Sequence, residues 1–481
     1  MDKLYYKSAS QIAKAILARE ISSSEVLDIH FKRITEHNPK INAVITLNED
    51  EARKKAKEAD EALAKSNIWG PLHGVPFTAK DTFITANLKT CFSNPLYKNY
   101  VPKEDATLVA KLKKAGAILM GKTNAPDFAF DWQSNSALFG RTSNPYHLDH
   151  IVGGSSGGSA AALASGFTPI CLGSDIGGSL RVPAHCCGIT TIRPTEHALS
   201  DFGHLLFPDQ PKVGRSMVTC GPMTRTIEDL KLAISIVWDK DTNNWLVPPV
   251  ELKNQPSITT LKGLKVAYNL NLGIVCQETK KLFQQFLNQL TKEGCKVEEA
   301  QPKGFDLDQI QEVWGIICGA SDILSSLPIT ALKFLPKLWL RYKFPNTSFL
   351  KSLIKGINSS NRKLMYALQA RDKFIQAADE FFTTYDVWLT PVGTSSAFKH
   401  CKTGSRIPVD SNQIPYTDFF APFNCPTTVL ANPIAVIPIG FSSLGLPIGV
   451  QIHARRWQDW RLLEIAELME NFTGGFKPPK L

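Results

Sequence analysis

Long apolar runs and paired cysteines are missing from this sequence of 481 residues. No stretch reaches the roughly 18 consecutive apolar residues that a membrane-spanning helix needs. Residues 1–6 do not lead into the apolar segment of a signal peptide. The ten cysteines are scattered, which indicates reduced, buried thiols and not a disulfide framework. We therefore expect a cytoplasmic protein without a signal peptide.

Ligand patterns for a metal or a phosphate group are absent as well. The run His185-Cys186-Cys187 has no matching second ligand pair nearby, which argues against a metal site. The glycine-rich segments at 153–159 and 173–179 lack the Lys-Ser/Thr pair of a phosphate-binding P-loop. We expect no metal, no other cofactor and no nucleic acid partner.

One stretch, between Ile323 and Arg371, lacks Asp and Glu entirely. It carries nine Lys and Arg residues, which leaves the rest of the chain nearly neutral because the net charge is +10. Pro336 counts against one continuous helix here. Two interpretations of 332–355 stay open: a lid or membrane-contacting cap, and a helix packed on the core with solvated lysines. Apolar side chains at helical spacing motivate both: Leu332, Leu335, Leu338 and Trp339.

Helical and strand patterns alternate along the chain. This alternation predicts an α/β layered fold, in which loops at the ends of strands and helices carry the site. Residues 240–260, with an Asn pair and Pro248-Pro249, are typical of a linker. The predicted helices include 105–114 and 156–165, and the predicted strands include 117–121, 169–172, 429–441 and 446–453, the last two forming a hairpin.

The two glycine- and serine-rich segments, 153–159 and 173–179, are preceded by Lys80 and Asp81. Together they offer a nucleophile, a proton relay, a base and a backbone able to bind an oxyanion. Lysine acts as a base only when it is neutral, and the apolar run 74–79 would bury the Lys80 ammonium and lower its pKa. Taken alone, a surface salt bridge between Lys80 and Asp81 is the commoner arrangement.

The first segment also matches the G-x-S-x-G nucleophile elbow of Ser-His-Asp hydrolases, with Ser155 as the nucleophile. That motif needs a preceding strand, whereas residues 144–150 form a polar stretch. A flexible linker is excluded because the segment passes directly into an Ala-rich helix. The elbow is therefore a weaker interpretation than a site built from both segments.

Further motifs surround the two glycine segments, and they are Gly74-Val75-Pro76-Phe77, Lys80-Asp81, Gly121-Lys122-Thr123-Asn124, Phe139-Gly140-Arg141-Thr142, Asn144-Pro145, Pro183-Ala184, Arg193-Pro194-Thr195, Gly221-Pro222-Met223-Thr224-Arg225-Thr226 and Gly445-Leu446-Pro447-Ile448-Gly449-Val450-Gln451. Their content and order identify the chain as similar to the amidase signature family. The resemblance is dense over 70–195 and slight over 240–410. It implies one amidase domain over 1–481, with a large mixed central β-sheet covered by helices on both faces. Its expected parts are a catalytic core at about 60–240, a variable substrate-pocket region at about 241–420, and C-terminal strands and a helix at 421–481.

The resemblance assigns roles to individual residues. It implies that Ser179 is the nucleophile, that Ser155, following a cis peptide bond, relays the proton, and that Lys80 is the base. The implied reaction cleaves a carboxylic acid amide to acid and amine or ammonia through a serine acyl-enzyme. The substrate is thus a small-molecule amide, and a homodimer is left open. The residues implied to contact the substrate or form the oxyanion hole are Ala129, Ser155, Ile176, Gly177, Gly178 and Ser179, with Phe130 and Trp132 as candidate pocket walls.

Departures from the family pattern concern the substrate. The branch that makes glutaminyl-tRNA with partner subunits usually has Thr at Ile176 and Gln at Val182, so the chain is more similar to general amidases and fatty-acid amide hydrolase-like members. Cys186 and Thr191 replace residues that are commonly Phe and Gly, which puts the pocket shape in doubt. Two alternatives are retained: a glutamine-hydrolysing subunit of an amidotransferase complex, and an esterase or acyltransferase. We also expect Asp175 and Arg181 to pair and fix the turn, and His185 to support the packing instead of acting as a base.

Overall fold

The computed structural model describes residues 4–205, 216–323, 337–338, 341 and 347–481. The strands are β1 (Val44–Leu47), β2 (Pro76–Lys80), β3 (Ile118–Thr123), β4 (Asn135–Ser136), β5 (Gly140–Arg141), β6 (Ile170–Asp175), β7 (Thr190–Arg193), β8 (Thr219–Thr224), β9 (Lys265–Tyr268), β10 (Lys296–Glu299), β11 (Val387–Pro391), β12 (Ile407–Val409), β13 (Asn412–Ile414), β14 (Ile434–Phe441) and β15 (Pro447–His453). The helices are α1 (Ala9–Leu17), α2 (Ser23–Ile41), α3 (Glu49–Ala64), α4 (Thr107–Lys114), α5 (Gly157–Ala164), α6 (Arg181–Cys187), α7 (Ile227–Val237), α8 (Gln277–Lys292), α9 (Leu307–Ile317), α10 (Ser348–Ile357), α11 (Asn361–Thr384), α12 (Ala421–Val429) and α13 (Asp459–Thr473).

A mixed sheet of eleven strands runs through the described residues in the order β1-β3-β2-β6-β8-β7-β14-β15-β11-β9-β10. Strand β2 lies between β3 and β6 and is parallel to both. The hairpin β14–β15 pairs antiparallel with β7 on one side and with β11 on the other. The predicted hairpin is therefore confirmed, although its first strand begins at Ile434 because residues 421–429 form α12.

Hydrophobic cores cover both faces of the sheet. Because side chains alternate along a strand, Ile118 and Met120 of β3 enter one core while Leu119 enters the other. Helices α2, α5, α6 and α9–α12 contribute to the first core, and α1, α4, α7, α8 and α13 to the second. On β2, Phe77 and Ala79 belong to the second core, so Lys80 faces the first. The prediction of a large mixed sheet with helices on both faces is confirmed.

Strand β6 and helix α5 bring the two glycine segments together. Strand β6 extends to Asp175, beyond the predicted 169–172, so the second segment begins inside this central strand and continues past its carboxyl end. Helix α5 begins at Gly157, inside the first segment. It packs closely on the end of β3, since a Cβ at Gly158 would lie 2.5 Å from the backbone N of Asn124. Glycine at that position permits the close approach of helix and strand.

The acid-free stretch is described only in part. Most of the predicted interfacial helix, including Leu332, Leu335 and Trp339, lies outside the described residues. Its described remainder includes α10, which buries Phe349, Leu350 and Leu353 in the first core and exposes its lysines, so the packed interpretation holds for 348–357. Within the described ranges, no helix is both long enough and apolar enough to cross a membrane.

Candidate active site

Lys80 ends β2 with a completely buried side chain. Its Nζ donates hydrogen bonds to Ser155 Oγ at 2.7 Å and to Ser174 Oγ at 3.0 Å. Burial disfavours the ammonium and lowers the pKa of Lys80 to about 7, with only partial opposition from negative groups that include Asp175. A sizeable fraction of this amine is therefore neutral near pH 7, as a proton acceptor requires.

Asp81, the next residue, is engaged elsewhere. Its carboxylate accepts hydrogen bonds from the backbone N–H groups of Cys91, at 3.2 Å, and Ser93, at 2.7 Å. The cation beside it is Lys122 of β3, whose Nζ lies 4.0 Å from the carboxylate. Both Lys80 and Asp81 are fully buried, so the alternative of a surface salt bridge between them is wrong.

Ser155 follows a cis peptide bond with Gly154 and is 1% exposed. Ser134 fixes the loop around it: the Ser134 hydroxyl donates to the Gly153 carbonyl at 3.0 Å and accepts from the Gly157 N–H at 3.0 Å. Irregular structure, not a strand, precedes the loop. The G-x-S-x-G elbow therefore lacks the strand that it requires.

Ser179 lies in the turn between β6 and α6, at the edge of a small cavity. Its side chain is largely buried, and its carbonyl accepts a hydrogen bond of 3.2 Å from the Ser156 N–H. This bond ties the second glycine segment directly to the first. Ile176, Gly177 and Ser179 of the turn all line the cavity.

Asp175 and Arg181 form the predicted pair at the base of this turn. Asp175 Oδ1 accepts from Arg181 Nη2 at 2.9 Å, and Oδ2 accepts from Arg181 Nε at 3.0 Å. Burial alone would raise the pKa of Asp175, but the guanidinium and the hydrogen bonds hold it well below its usual range. Arg181 also donates to Thr427, Thr428 and Gln451, which anchors the turn to α12 and β15.

Removing the guanidinium while keeping its stem should destabilise the protein strongly. In Arg181→Met the buried Asp175 carboxylate loses the guanidinium that pairs with it, and Arg193 Nε remains only at 3.9 Å from Oδ1. Removing one partner of a buried ion pair typically costs about 3–5 kcal/mol. We expect the free energy of unfolding to fall by about this amount in urea titration at pH 7. A matched control is Lys231→Met, which removes a partly exposed ion pair with Glu467 and should cost under about 1 kcal/mol. Similar losses for the two variants would contradict the anchoring role.

The Asp175 carboxylate also removes one of the expected oxyanion donors, the Gly178 N–H. Asp175 Oδ1 accepts the Gly178 N–H at 2.9 Å, so this N–H is directed at the turn and not at the cavity. The structure thus differs from the prediction that Gly178 supplies an oxyanion donor. Gly178 has another role, because its φ is +101° and a Cβ there would lie 2.7 Å from Asn424 Cγ. The N–H groups of Ile176, Gly177 and Ser179 have no protein acceptor among the described residues.

The cavity beside Ser179 has a volume of about 40 Å³, and four of its nine lining residues are aromatic. Its lining includes Ala129, Phe130 and Trp132, as the sequence predicted. The Trp132 Nε1–H donates to the Gly177 carbonyl at 3.1 Å, so this ring is also joined to the turn. Phe128 and Ala129, at the start of this lining segment, have φ of 55° and 53°, a conformation that is uncommon for residues with a side chain.

Three further residues line the cavity and were not predicted: Asp131, Trp314 and Phe349. Trp314 of α9 donates from Nε1 to the Ile176 carbonyl at 2.8 Å. Asp131 accepts from the Tyr416 hydroxyl at 2.5 Å and from Thr403 Oγ1 at 2.6 Å. Trp314 and Phe349 fall within the substrate-pocket region expected at about 241–420, although the sequence singled out neither residue as a cavity wall.

His185 is buried inside α6 and has two backbone partners. Its Nε2 lies 2.9 Å from the Ser395 carbonyl oxygen, and its Nδ1 lies 3.0 Å from the Gly449 nitrogen, which donates. Burial lowers the pKa of His185 to about 4. With both ring nitrogens engaged by backbone, His185 has the supporting role that was expected.

Within the described residues, His147, Asp149 and His150 place potential metal-ligand atoms within 4.8 Å of one another. They lie on the loop before the first glycine segment. Lys399 Nζ is 3.5 Å from the Asp149 carboxylate, and this ammonium competes with any cation there. The group is thus a hydrogen-bonded surface cluster and not a convincing metal centre.

Three comparisons relate the chain to known proteins. A family model described as Amidase matches residues 25–463. A glutamyl-tRNA(Gln) amidotransferase subunit of Carboxydothermus hydrogenoformans is 30% identical over 499 residues, covering 100% of both chains. Indoleacetamide hydrolase of Bradyrhizobium diazoefficiens is 32% identical over 475 residues, covering 97% of this chain and 86% of that one. A solved bacterial aryl acylamidase of the amidase signature enzymes has a TM-score of 0.81 at 24% identity, covering 97% of this chain and 96% of that one, which shows the shared fold.

Proposed function

Since the chain belongs to the amidase family and is an enzyme that acts on carbon–nitrogen amide bonds, we propose that Ser179, Ser155 and Lys80 carry out the hydrolysis. The observation that carries this proposal is the 2.7 Å hydrogen bond from Lys80 Nζ to Ser155 Oγ in a buried site. A serine hydroxyl is a weak nucleophile without a base, and burial keeps part of the lysine neutral enough to be one.

The proposed cycle begins with attack of Ser179 Oγ on the carbonyl carbon of the amide. The Ser179 proton passes to Ser155 Oγ as the Ser155 proton passes to the neutral Lys80 amine. The carbonyl oxygen becomes an oxyanion, which the N–H groups of Ile176, Gly177 and Ser179 can stabilise. Reversal of the relay protonates the leaving nitrogen as the C–N bond breaks, releasing amine or ammonia. Water then repeats the sequence on the acyl ester of Ser179 and releases the acid.

Ser174 supports the base in this scheme. Its hydroxyl is the second acceptor for Lys80 Nζ, at 3.0 Å, and it stands on β6 beside the strand that carries Lys80. Two hydroxyl partners fix the direction of the amine without adding a countercharge. This arrangement keeps the lysine positioned without an anion in direct contact, which would favour its protonated form.

The glutamine-hydrolysing alternative also fits the comparisons, since one relative of matching length is named as part of an amidotransferase. Two residues favour an independent amidase. Ile176, where the amidotransferase branch usually has Thr, lines the cavity, and Val182, where that branch usually has Gln, is buried where the turn enters α6. Activity of the purified chain with no partner present would favour the amidase, and glutamine hydrolysis that appears only with partner subunits would favour the alternative. An esterase activity of the same triad would be revealed by matched amides and esters.

Trapping the acyl group tests the covalent intermediate. With hydroxylamine present during turnover of a panel of aliphatic, aryl and long-chain amides, we expect the hydroxamate of the acyl group to form together with the acid. Hydroxylamine is a better nucleophile than water towards an acyl ester, so the hydroxamate fraction should rise with its concentration. Turnover that never yields hydroxamate, at any hydroxylamine concentration, would contradict an acyl-enzyme.

Three finer expectations remain predictions: a homodimer, a membrane contact through 332–355, and a cytoplasmic location. The first can be measured by sedimentation. The second can be measured by flotation with anionic vesicles at low salt, where absence of binding would remove the membrane interpretation.

A further inference from the structure

The indole of Trp314 holds the turn that carries the proposed nucleophile. Trp314 belongs to α9 and is 2% exposed, and its Nε1–H donates to the Ile176 carbonyl at 2.8 Å. Ile176 directly follows β6, and the two residues are 138 positions apart in the chain. This hydrogen bond therefore joins α9 to the turn that carries Ser179.

The bond determines where the next N–H points. The peptide between Ile176 and Gly177 is trans. In a planar trans peptide the C=O and N–H groups point in opposite directions. Fixing the Ile176 carbonyl on the indole thus turns the Gly177 N–H away from Trp314 Nε1. Gly177 lines the cavity with Ser179, and no described protein group accepts from this N–H.

The next peptide, between Gly177 and Gly178, is held at both its carbonyl and its N–H. The Gly177 carbonyl accepts from Trp132 Nε1 at 3.1 Å, and the Gly178 N–H at the other end donates to Asp175. Both ends of that peptide are therefore satisfied by protein. Among the described residues, the peptide between Ile176 and Gly177 is fixed at its carbonyl end alone, which leaves its N–H for a ligand.

The position of the Trp314 ring is itself fixed. A Cβ at Gly177 would lie 3.1 Å from Trp314 Cζ2, so the ring is in close contact with the turn. The ring also packs against Phe349, with centroids 5.3 Å apart and planes inclined by 30°. Donors held in place before the reaction stabilise a developing charge without reorganising, which is the main source of their catalytic effect.

We propose that Trp314 is a positioning residue that aims the Gly177 N–H at the oxyanion, an inference that rests on the proposed function of Ser179. Trp314→Phe keeps a ring on the cavity wall and loses the indole N–H. We expect kcat/KM to fall by about 10- to 100-fold, mostly in kcat, with KM within about threefold. Deleting an oxyanion donor outright costs roughly 10²–10³-fold, and here the donor remains but is no longer held.

A closer isostere of Trp distinguishes loss of the indole N–H from a change in the packing of the ring. Replacement of Trp314 by 3-benzothienylalanine keeps the two-ring shape and removes only the N–H, so it should show the same loss with an unchanged melting temperature. A trifluoromethyl ketone, which forms a tetrahedral adduct, should bind more weakly by the same factor, whereas the product acid should bind as before. Phe349→Leu is the matched control: it alters the same wall without removing a hydrogen-bond donor, and its kcat loss should be smaller than that of Trp314→Phe.

Turnover of the benzothienylalanine variant within about twofold of the unmodified enzyme would overturn the inference, as would a loss confined to KM. Ser179→Ala distinguishes failure of this inference from failure of the proposed function. If Ser179→Ala is inactive while the isostere variant is fully active, only the role of Trp314 fails. If Ser179→Ala retains turnover, the proposed function fails with it.

Discussion

Ser179→Ala should reduce amide hydrolysis by at least roughly 10⁴-fold, because the nucleophile of the proposed cycle is removed outright. Labelling by a fluorophosphonate probe should disappear as well, since the probe reacts with the same oxygen. The side chain makes no hydrogen bond to another protein group among the described residues, so the melting temperature should change little. Turnover is measured by release of amine or ammonia, and labelling by intact mass.

Ser155→Ala provides the matched comparison. This variant should also lose turnover, because the relay between Ser179 and Lys80 is broken. In the unsubstituted enzyme, the probe adduct should map to the peptide that contains Ser179. A probe adduct on Ser155, or labelling that persists in Ser179→Ala, would restore the nucleophile-elbow interpretation and refute Ser179 as the nucleophile.

Lys80→Met should lower kcat/KM by about 10²–10⁴-fold, the usual contribution of a positioned acid–base group. Methionine has a similar length and fills the buried site, but it cannot accept a proton. Lys80→Arg should not rescue activity, because the guanidinium remains protonated at all accessible pH values. Steady-state kinetics on one amide substrate gives both values.

Lys122→Met is the control that shows what the loss of a buried lysine with a structural role does to stability. It removes the cation beside Asp81 and should lower the free energy of unfolding by about 3–5 kcal/mol. Lys80 has hydroxyl partners and no carboxylate in contact within the described part of the chain, so Lys80→Met should leave stability nearly unchanged. A stability loss in Lys80→Met equal to that in Lys122→Met would indicate a structural role for Lys80.

The pH dependence tests the same amine from another side. The pKa of Lys80 is lowered to about 7, and the neutral form is the base, so raising the pH increases the active fraction. The kcat/KM of the unsubstituted enzyme should therefore rise about tenfold per pH unit below pH ~7 and level off above it. The residual activity of Lys80→Met should not rise with pH in this range. If the rise persists in the variant, it belongs to the titration of another group.

Local pattern was enough to predict the elements that frame the site. The apolar run before Lys80 forms β2, and the Ala-rich run that begins inside the first segment forms α5, because both elements depend on neighbours in the sequence. The contact between Lys80 and Ser155 joins residues 75 apart. The spacing of apolar residues in the sequence does not reveal such a contact, which was predicted from the family resemblance alone.

The parts that could not be predicted depend on neighbours distant in the chain. Lys80 and Asp81 are adjacent in sequence, yet β2 ends between them, and the cation beside Asp81 belongs to β3. Trp314 lies in a region with few family motifs, and its role depends on one hydrogen bond to a distant carbonyl. The use of the Gly178 N–H by Asp175 was also hidden, because a glycine-rich turn has many conformations of similar energy.

The hairpin β14–β15 has a consequence for synthesis of the chain on the ribosome. In the described sheet it connects β7 to β11, so strands from the first 224 residues and strands from 265–391 meet only through it. At about 5–20 residues per second, roughly 10 to 50 s separate the synthesis of β7 from that of β14. During that interval β7 presents an unpaired edge of the kind that recruits other chains. Protection of this edge by chaperones should therefore matter most before residues 434–453 have emerged.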